Sequence, residues 1–257
     1  MKIGLTLSGG GARGIAHLGV LKAFDEWGIK PTMISGVSSG AIIGALYSSG
    51  LEPEYIVETL INSRLHRYLR PAWSRFGFLN IEKFIKLYQL YLPVKTFEEL
   101  KIKLFISAAD LKEGKTVYFH EGPILRPILA SSCLPVLFNP VSIGERQFID
   151  GGMLNNMPVE PLLGHNDFIF GVNCNPTNKQ YDIGGMRSVL ERTFHLMLSI
   201  NVKERIKYCD IYIEPPGLSN YTIFDLKDAR SIYKIGYTHT IEVLKSQEGF
   251  LKKYSII

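Results

Sequence analysis

Two short apolar segments, each followed by glycines and then by a helical pattern, place the strongest constraint on the fold of this chain. The first covers residues 2–7 and stops at SGGGARG (8–14), after which apolar residues recur at helical spacing as far as Trp27. The second covers residues 32–35 and leads through a tight turn into the helical pattern of residues 40–47. A strand, a loop and a helix repeated in this order predict a layered α/β fold.

The rest of the chain adds strands to this pattern and ends in two long helices. Residues 104–108 and 116–120 are strand-like on either side of the turn KEGK, which predicts a hairpin. Because no repeat, low-complexity tract or polar linker divides the chain, we expect one domain over residues 1–257. The pattern predicts a central mixed, partly parallel sheet flanked by helices, with further strands at 147–149, 168–173 and 211–214 and helices at about 188–208 and 225–246.

Composition and charge narrow the expected partners and compartment. Hydrophobic residues make up 46% of the chain, and the net charge of +5 suits an anionic membrane surface without requiring one. This modest charge does not support nucleic-acid binding, and we expect no nucleic-acid partner. Cys133, Cys174 and Cys209 lie far apart without metal-ligand spacing, so we expect reduced thiols and no metal. The absence of a signal-peptide pattern and of an apolar run of about 18 residues predicts a cytoplasmic protein, for which peripheral membrane contact stays compatible.

The first glycine motif is compatible with a nucleotide ligand. Gly9, Gly11 and Gly14 match G-x-G-x-x-G between a strand and a helix, which is the context of the dinucleotide-binding fingerprint. That fingerprint also needs an acidic residue at the end of the second strand, and here this strand ends in ISGVSSGA. A nucleotide-binding module is therefore an alternative with weak support.

The second glycine motif indicates a nucleophile. Gly36, Ser38 and Gly40 form G-x-S-x-G between a predicted strand and a predicted helix, the arrangement of a nucleophile elbow. The hydroxyl of Ser38 would stand at a helix N-terminus, where positive potential stabilises an oxyanion. Such an elbow takes further backbone N–H donors from a neighbouring loop, and SGGGARG is such a loop. The two motifs together favour acyl-ester chemistry over a structural turn at Ser38.

The sequence pattern identifies the base that would accept the proton of Ser38 less clearly than it identifies the nucleophile. Asp150 follows a short strand, and Gly151 and Gly152 come directly after it. The sequence Asp-Gly-Gly is also typical of an ordinary turn, which spacing alone favours.

Histidines compete for the same role. In the order Ser, Asp, His, the candidates after Asp150 are His165, His195 and His239. The last two lie inside helical patterns, so His165 is the histidine that fits a loop position. We expect His17, on the first predicted helix, to make packing or capping contacts.

With these residues assembled, the chain resembles the patatin-like phospholipase family, in particular its compact bacterial members. The segment GGGARGIAHLGVL is similar to the glycine-rich oxyanion motif of that family, GVSSGAIIGAL to its nucleophile elbow, and IDGGMLNNMPV to its Asp-Gly-Gly/Ala motif. The segment ASSCLPVLFNPV resembles the stretch that precedes the aspartate. The resemblance covers about residues 1–175 in order, whereas the C-terminal helices, about 187–257, match loosely.

The resemblance implies a three-layer patatin-like fold and a Ser–Asp dyad without histidine, with Ser38 as nucleophile and Asp150 as general base. It implies phospholipase A or lysophospholipase activity on a lipid or lysolipid substrate, without a cofactor. A regulatory protein with a little-used hydrolase site is a further alternative. Arg13 would hold the glycine loop or face a phosphate, and the alternative is a solvated arginine at the start of the helix. The implied oxyanion hole consists of Gly9, Gly10, Gly11, Ala12, Arg13 and Gly14.

Residues 64–79, RLHRYLRPAWSRFGFL, interleave four arginines with Tyr68, Trp73, Phe76 and Phe78. A cationic and aromatic mixture suits a membrane interface, and this segment could cover the site as a lid. One alternative is that the aromatic side chains belong to the core and the arginines form a solvated rim. A third, with the least support, is that the aromatic side chains stack on the bases of a nucleic acid.

Overall fold

A computed structural model of the protein describes residues 1–62, 90–135, 137–177 and 184–257. The helices are α1 (Ala16–Glu26), α2 (Ser39–Ser48), α3 (Pro53–Asn62), α4 (Leu125–Ser131), α5 (Met186–Lys203), α6 (Ala229–Ser246) and α7 (Glu248–Lys253). The strands are β1 (Ile3–Leu7), β2 (Met33–Val37), β3 (Lys103–Asp110), β4 (Lys115–Phe119), β5 (Val141–Ile143), β6 (Arg146–Asp150), β7 (Phe168–Val172) and β8 (Ile211–Ile213).

Eight strands among the described residues form one mixed sheet. Its order is β5-β6-β3-β2-β1-β7-β8, and β4 pairs with β3 outside this path. The pairs β3–β2, β2–β1, β1–β7 and β7–β8 are parallel, whereas β4 and β6 both run antiparallel to β3. The predicted α/β class with a mixed, partly parallel central sheet flanked by helices is confirmed.

The two faces of the sheet are covered unequally. Side chains alternate between faces along a strand, so Phe168 and Phe170 pack on one side and Ile169 on the other. The first side forms the large core with α1, α2, α3 and α6. The second side packs Ile169 with Val159 and Leu162. The segments that connect the parallel strands therefore cover β1 and β2 and bury them. The loops that follow the carboxyl ends of these two strands start from fixed positions.

Most predicted elements occur where the pattern placed them. The hairpin, the first two strands, the helix of residues 40–47 and the later strands are confirmed within a few residues. The first helical pattern begins with a 3-10 turn at Gly11–Ile15 before α1, and the predicted helix 188–208 ends at Lys203. The elements α3, α4, α7 and β5 were not predicted.

Candidate active site

Ser38 stands on a strained turn between β2 and α2. It has φ 53° and ψ −123°, a left-handed conformation that non-glycine residues rarely adopt. A Cβ placed on Gly40 would overlap the carbonyl oxygens of Leu7 and Ser8, and one on Gly36 would come within 2.6 Å of the Gly40 carbonyl oxygen. Strand, turn and helix can therefore pack this closely only with glycine at both positions, as the elbow motif predicts.

A second serine supports this turn. The backbone N–H of Ser38 donates to Oγ of Ser131 at 2.8 Å, and that hydroxyl donates to the carbonyl oxygen of Ser107 at 2.7 Å. Ser131 is buried at the end of α4. Sequence reasoning assigned it no role, although it lies in ASSCLPVLFNPV, and its position in that motif was the available signal.

The strand register brings Asp150 to Ser38. Because β4 occupies one edge of β3, strands β2 and β6 share the other edge. The last residue of β2 pairs with Ser107, and Asp150 at the end of β6 pairs with Ala108. The carboxyl ends of β2 and β6 therefore meet along β3, which places the elbow and the Asp150 carboxylate next to each other.

The carboxylate of Asp150 is buried beside the elbow. Its Oδ1 accepts a hydrogen bond from the Gly152 N–H at 2.8 Å, and its side chain interacts with the Ser38 hydroxyl. Burial raises the pKa of Asp150 to about 6, although these two interactions oppose the rise. A Cβ on Gly151 would lie 2.5 Å from the Ser107 carbonyl oxygen, so the turn packs directly on β3. The arrangement can take a proton from Ser38 at neutral pH.

The glycine loop leaves few of its N–H groups available. The N–H of Gly9 donates to Oδ1 of Asn156 at 3.1 Å. The N–H of Ala12 donates to the carbonyl oxygen of Ile223 at 2.9 Å, and that of Arg13 to its neighbour Gly10 at 3.1 Å. Within the described part of the chain, no acceptor is recorded for the N–H groups of Gly10 and Gly11. Among the six residues that the resemblance implied, Gly10 and Gly11 are therefore the candidates for donating to an oxyanion.

Gly14 contributes packing. A Cβ at this position would overlap the side chain of Ser39, so the loop rests against the first residue of α2. The absence of a side chain on Gly14 therefore lets the glycine loop and the elbow lie in contact.

Buried polar groups hold the loop from behind. Nε2 of His17 lies 2.8 Å from the Ser8 carbonyl oxygen, and Nδ2 of Asn175 donates to the Gly9 carbonyl oxygen at 2.6 Å. Burial lowers the pKa of His17 to about 4, so the imidazole is neutral and donates to Ser8. The Cys174 N–H donates to Oγ of Ser8 at 2.9 Å. His17 therefore makes the supporting contacts that were expected of it.

Arg13 also supports the loop. Its side chain is almost fully buried, and Nε donates to the carbonyl oxygen of Tyr221 at 2.7 Å. This geometry favours holding the loop, and the burial of Arg13 contradicts the alternative of a solvated arginine at the helix start.

The candidate histidines do not reach the Ser38–Asp150 pair. His165 is exposed in the loop before β7, and because β7 runs parallel to β1 this loop lies at the sheet end opposite the elbow. Nε2 of His195 lies 3.3 Å from the carbonyl oxygen of Asn175, beneath the glycine loop. His239 lies within α6, beside Glu242.

Three further expectations concern the lid, metals and membranes. The candidate lid, residues 64–79, falls outside the described residues. In the described ranges, no group of three or more His, Cys, Asp or Glu side chains could hold a metal ion. Each helix of those ranges falls short of the length and hydrophobicity needed to span a bilayer.

Known proteins are similar to this chain over much of its length. The family model for patatin-like phospholipase matches residues 5–163, more than half of the chain. An uncharacterised NTE family protein of Mycobacterium tuberculosis is 34% identical over 177 residues, which cover 68% of this chain and 49% of the relative. Lysophospholipase NTE1 of Eremothecium gossypii is 26% identical over 296 residues, covering 96% of this chain and 18% of that protein. The chain belongs to the patatin-like phospholipase family, and it spans about half or less of the length of these relatives.

Solved structures agree on the fold. VipD from Legionella pneumophila matches with a TM-score of 0.56 at 17% identity, over 95% of this chain and 67% of VipD. Human GIVD cytosolic phospholipase A2, solved with methyl gamma-linolenyl fluorophosphonate, matches with a TM-score of 0.52 at 11% identity, over 99% of this chain and 59% of that one. The α/β architecture described above is therefore that of patatin-like phospholipases.

Proposed function

We propose that the protein is a serine acyl hydrolase that cleaves acyl esters of lipids, with Ser38 as nucleophile and Asp150 as general base. One observation carries the proposal. The strand register places the hydroxyl of Ser38, on a strained elbow at the start of α2, beside a buried carboxylate with which it interacts and whose pKa is raised to about 6. A serine hydroxyl is a weak nucleophile until a neighbouring base takes its proton, and this contact supplies the base.

The reaction follows from these contacts in two halves. In the first, Oγ of Ser38 attacks the acyl carbonyl carbon while Asp150 takes the hydroxyl proton. The carbonyl oxygen becomes an oxyanion, which accepts hydrogen bonds from the N–H groups of Gly10 and Gly11. The bond to the leaving alkoxide then breaks, and the alkoxide takes the proton from Asp150 and departs as an alcohol. In the second half, Asp150 deprotonates a water that attacks the acyl-enzyme, and the fatty acid is released with Ser38 protonated again.

The pKa of Asp150 suits a base that works without histidine. A carboxylate with an ordinary pKa near 4 is a poor acceptor for a hydroxyl proton. A pKa of about 6 leaves most of the side chain ionised at pH 7 and makes it a stronger base. Burial thus gives the carboxylate much of the basicity that imidazole has in other hydrolases.

The proposed substrates are phospholipids and lysophospholipids. Membership of the patatin-like phospholipase family and the likeness to a relative named lysophospholipase support this class. Peripheral contact with a lipid surface would accompany it.

Covalent labelling with a fluorophosphonate tests the nucleophile and its base. We expect one adduct, mapped by intact mass and peptide sequencing to Ser38, that is lost in Ser38→Ala and strongly slowed in Asp150→Asn. Matched controls are Ser246→Ala and Asp167→Asn, exposed residues at the end of α6 and before β7, which should label like the wild type. Hydrolysis of a lysophospholipid should follow the same order.

Two outcomes would overturn the proposal. Ester hydrolysis that persists in Ser38→Ala would exclude Ser38 as the nucleophile. A folded wild type with neither adduct nor turnover would favour the regulatory alternative, or, if equilibrium dialysis showed micromolar binding of NAD, NADP or ATP, the nucleotide-binding alternative.

A further inference from the structure

Asn156 lies at the centre of the candidate site without a role in the reaction described above. It follows the Asp-Gly-Gly turn and is 1% exposed. Its backbone N–H donates to Oδ1 of Asn201 at 2.8 Å, and Nδ2 of Asn201 donates to the Gly152 carbonyl oxygen at 3.2 Å. Helix α5 therefore fixes the backbone of Asn156 and the Asp-Gly-Gly turn together.

The amide of Asn156 contacts both halves of the site. Its Oδ1 accepts the hydrogen bond from the Gly9 N–H. A Cβ built on Gly9 would lie 2.7 Å from this Oδ1 and 3.0 Å from Cβ of Ser38. A Cβ built on Gly152 would lie 2.9 Å from the same Oδ1 and 3.1 Å from Oδ1 of Asp150. The Asn156 amide thus lies close to both Ser38 and Asp150.

The Nδ2 group of the same amide makes no hydrogen bond to the described residues. Nδ2 of Asn156 is buried and has no acceptor among the described residues. Buried donors are nearly always paired, so an unpaired one at such a position calls for an explanation. A fixed dipole beside a reacting centre stabilises negative charge that appears there, and because it is already oriented it costs no reorganisation.

We propose that Asn156 is a positioning residue of this site, an inference that rests on the proposed hydrolase function. Its Oδ1 accepts the hydrogen bond from the Gly9 N–H. This contact fixes the glycine loop so that the N–H groups of Gly10 and Gly11 point to the oxyanion. Its Nδ2 group supplies a buried dipole that stabilises the negative charge of the transition state. Asn156 does this without touching the substrate, because its amide is not accessible.

Three variants separate these effects from a merely structural role. Asn156→Ala removes the acceptor and the donor, and we expect kcat to fall about 100-fold with little change in KM. Asn156→Asp keeps an acceptor for Gly9 but replaces the donor by a carboxylate. We expect kcat to fall here too, and the acid limb of the pH–rate profile to move to higher pH because a second carboxylate lies near Asp150.

Asn155→Ala is the matched control. Asn155 is equally buried, but its Nδ2 donates to Oη of Tyr118 at 3.1 Å and to Oε2 of Glu160 at 2.7 Å, away from the glycine loop. We expect this variant to lower Tm while the kcat of the folded enzyme stays within about 3-fold of the wild type.

The folded fraction of each variant is measured by circular dichroism before the kinetics. An Asn156→Ala enzyme that keeps kcat within about 3-fold would overturn the inference, as would an unchanged acid limb in Asn156→Asp. If Asn156→Ala does not fold, Asn156→Asp decides the question alone. A wild type without turnover and without a Ser38 adduct would instead overturn the proposed function, and the role of Asn156 with it.

Discussion

At the scale of single residues, Asp150 is placed for reactivity at a cost to stability. Its carboxylate has lost nearly all contact with water, and the hydrogen bond from the Gly152 N–H and the interaction with the Ser38 hydroxyl only partly replace it. The same desolvation that makes the group a better base makes its ionised form expensive to bury. Activity and stability should therefore change in opposite directions as Asp150 titrates.

The first prediction concerns the pH dependence of activity. The base must be ionised, so kcat/KM should be constant above neutrality and fall tenfold per pH step below about pH 6. A wild-type profile of lysophospholipid hydrolysis between pH 4.5 and 8.5 measures this limb. A limb near pH 4 would show that Asp150 has an ordinary carboxyl pKa and would contradict the geometry proposed for it.

The second prediction concerns the stability of Asp150→Asn. A rise in pKa from 3.8 to about 6 corresponds to a penalty of about 3 kcal/mol when the group is ionised in the folded state. Because the pKa of Asp150 is higher in the folded than in the unfolded state, this penalty is fully present above pH 6 and disappears as the pH falls towards 4. We therefore expect Asp150→Asn to be more stable than the wild type by about 1–3 kcal/mol at pH 7.5, and the difference to shrink at pH 4.5.

Urea unfolding of both proteins at the two pH values measures this difference. His17 also titrates in this range, because burial lowers its pKa to about 4, but it is common to both proteins and cancels in the comparison. A variant that is less stable than the wild type at pH 7.5 would contradict the prediction.

At the scale of elements, local sequence patterns predicted most of the strands and helices, whereas contacts between residues distant in the sequence were not predicted. The elements β1, α1, β2 and α2 and the hairpin follow from apolar periodicity bounded by glycines. Among the elements missed, β5 has three residues and α4 has seven, with a proline at its third position, so neither shows a period. Ser38 and Asp150 follow from motifs. Ser131 and Asn156 act across 93 and 147 residues of chain, which no local pattern records.

The third prediction tests the support of the elbow by α4. In Ser131→Ala the Ser38 N–H loses its acceptor, which should cost about 1–3 kcal/mol of unfolding free energy. Because Ser38 is held at positive φ, we also expect the relaxed turn to lower kcat by about tenfold. Urea unfolding and ester kinetics measure the two effects.

Ser132→Ala is the control for this prediction. The hydroxyl of Ser132 is also buried, but it has no partner within the described ranges, so its removal breaks no recorded hydrogen bond. Equal losses in the two variants would show that the Ser38–Ser131 hydrogen bond has no special role.

At the scale of the whole molecule, the C-terminal part of the chain completes the site that the motifs begin. The family match ends at residue 163, yet the carbonyl oxygens of Tyr221 and Ile223 accept hydrogen bonds from the glycine loop. Helix α1, which follows that loop directly, packs along α6. The C-terminal part of the chain therefore supports the glycine loop as well as covering the sheet.

The last prediction tests this support at the contact between α1 and α6. A Cβ on Gly236 would overlap the carbonyl oxygen of Ala16, so the two helices touch through backbone. Gly236→Ala must push α6 away from α1, and we expect a loss of about 1–3 kcal/mol in unfolding free energy together with a lower kcat, because α1 carries the glycine loop. In the control Gly249→Ala, on α7, the added Cβ meets open space, and helix propensity should keep or slightly raise stability. Measurements of urea unfolding and of turnover for both variants test whether this contact supports the glycine loop. A Gly236→Ala protein as stable and as active as Gly249→Ala would show that the C-terminal helices do not hold the loop.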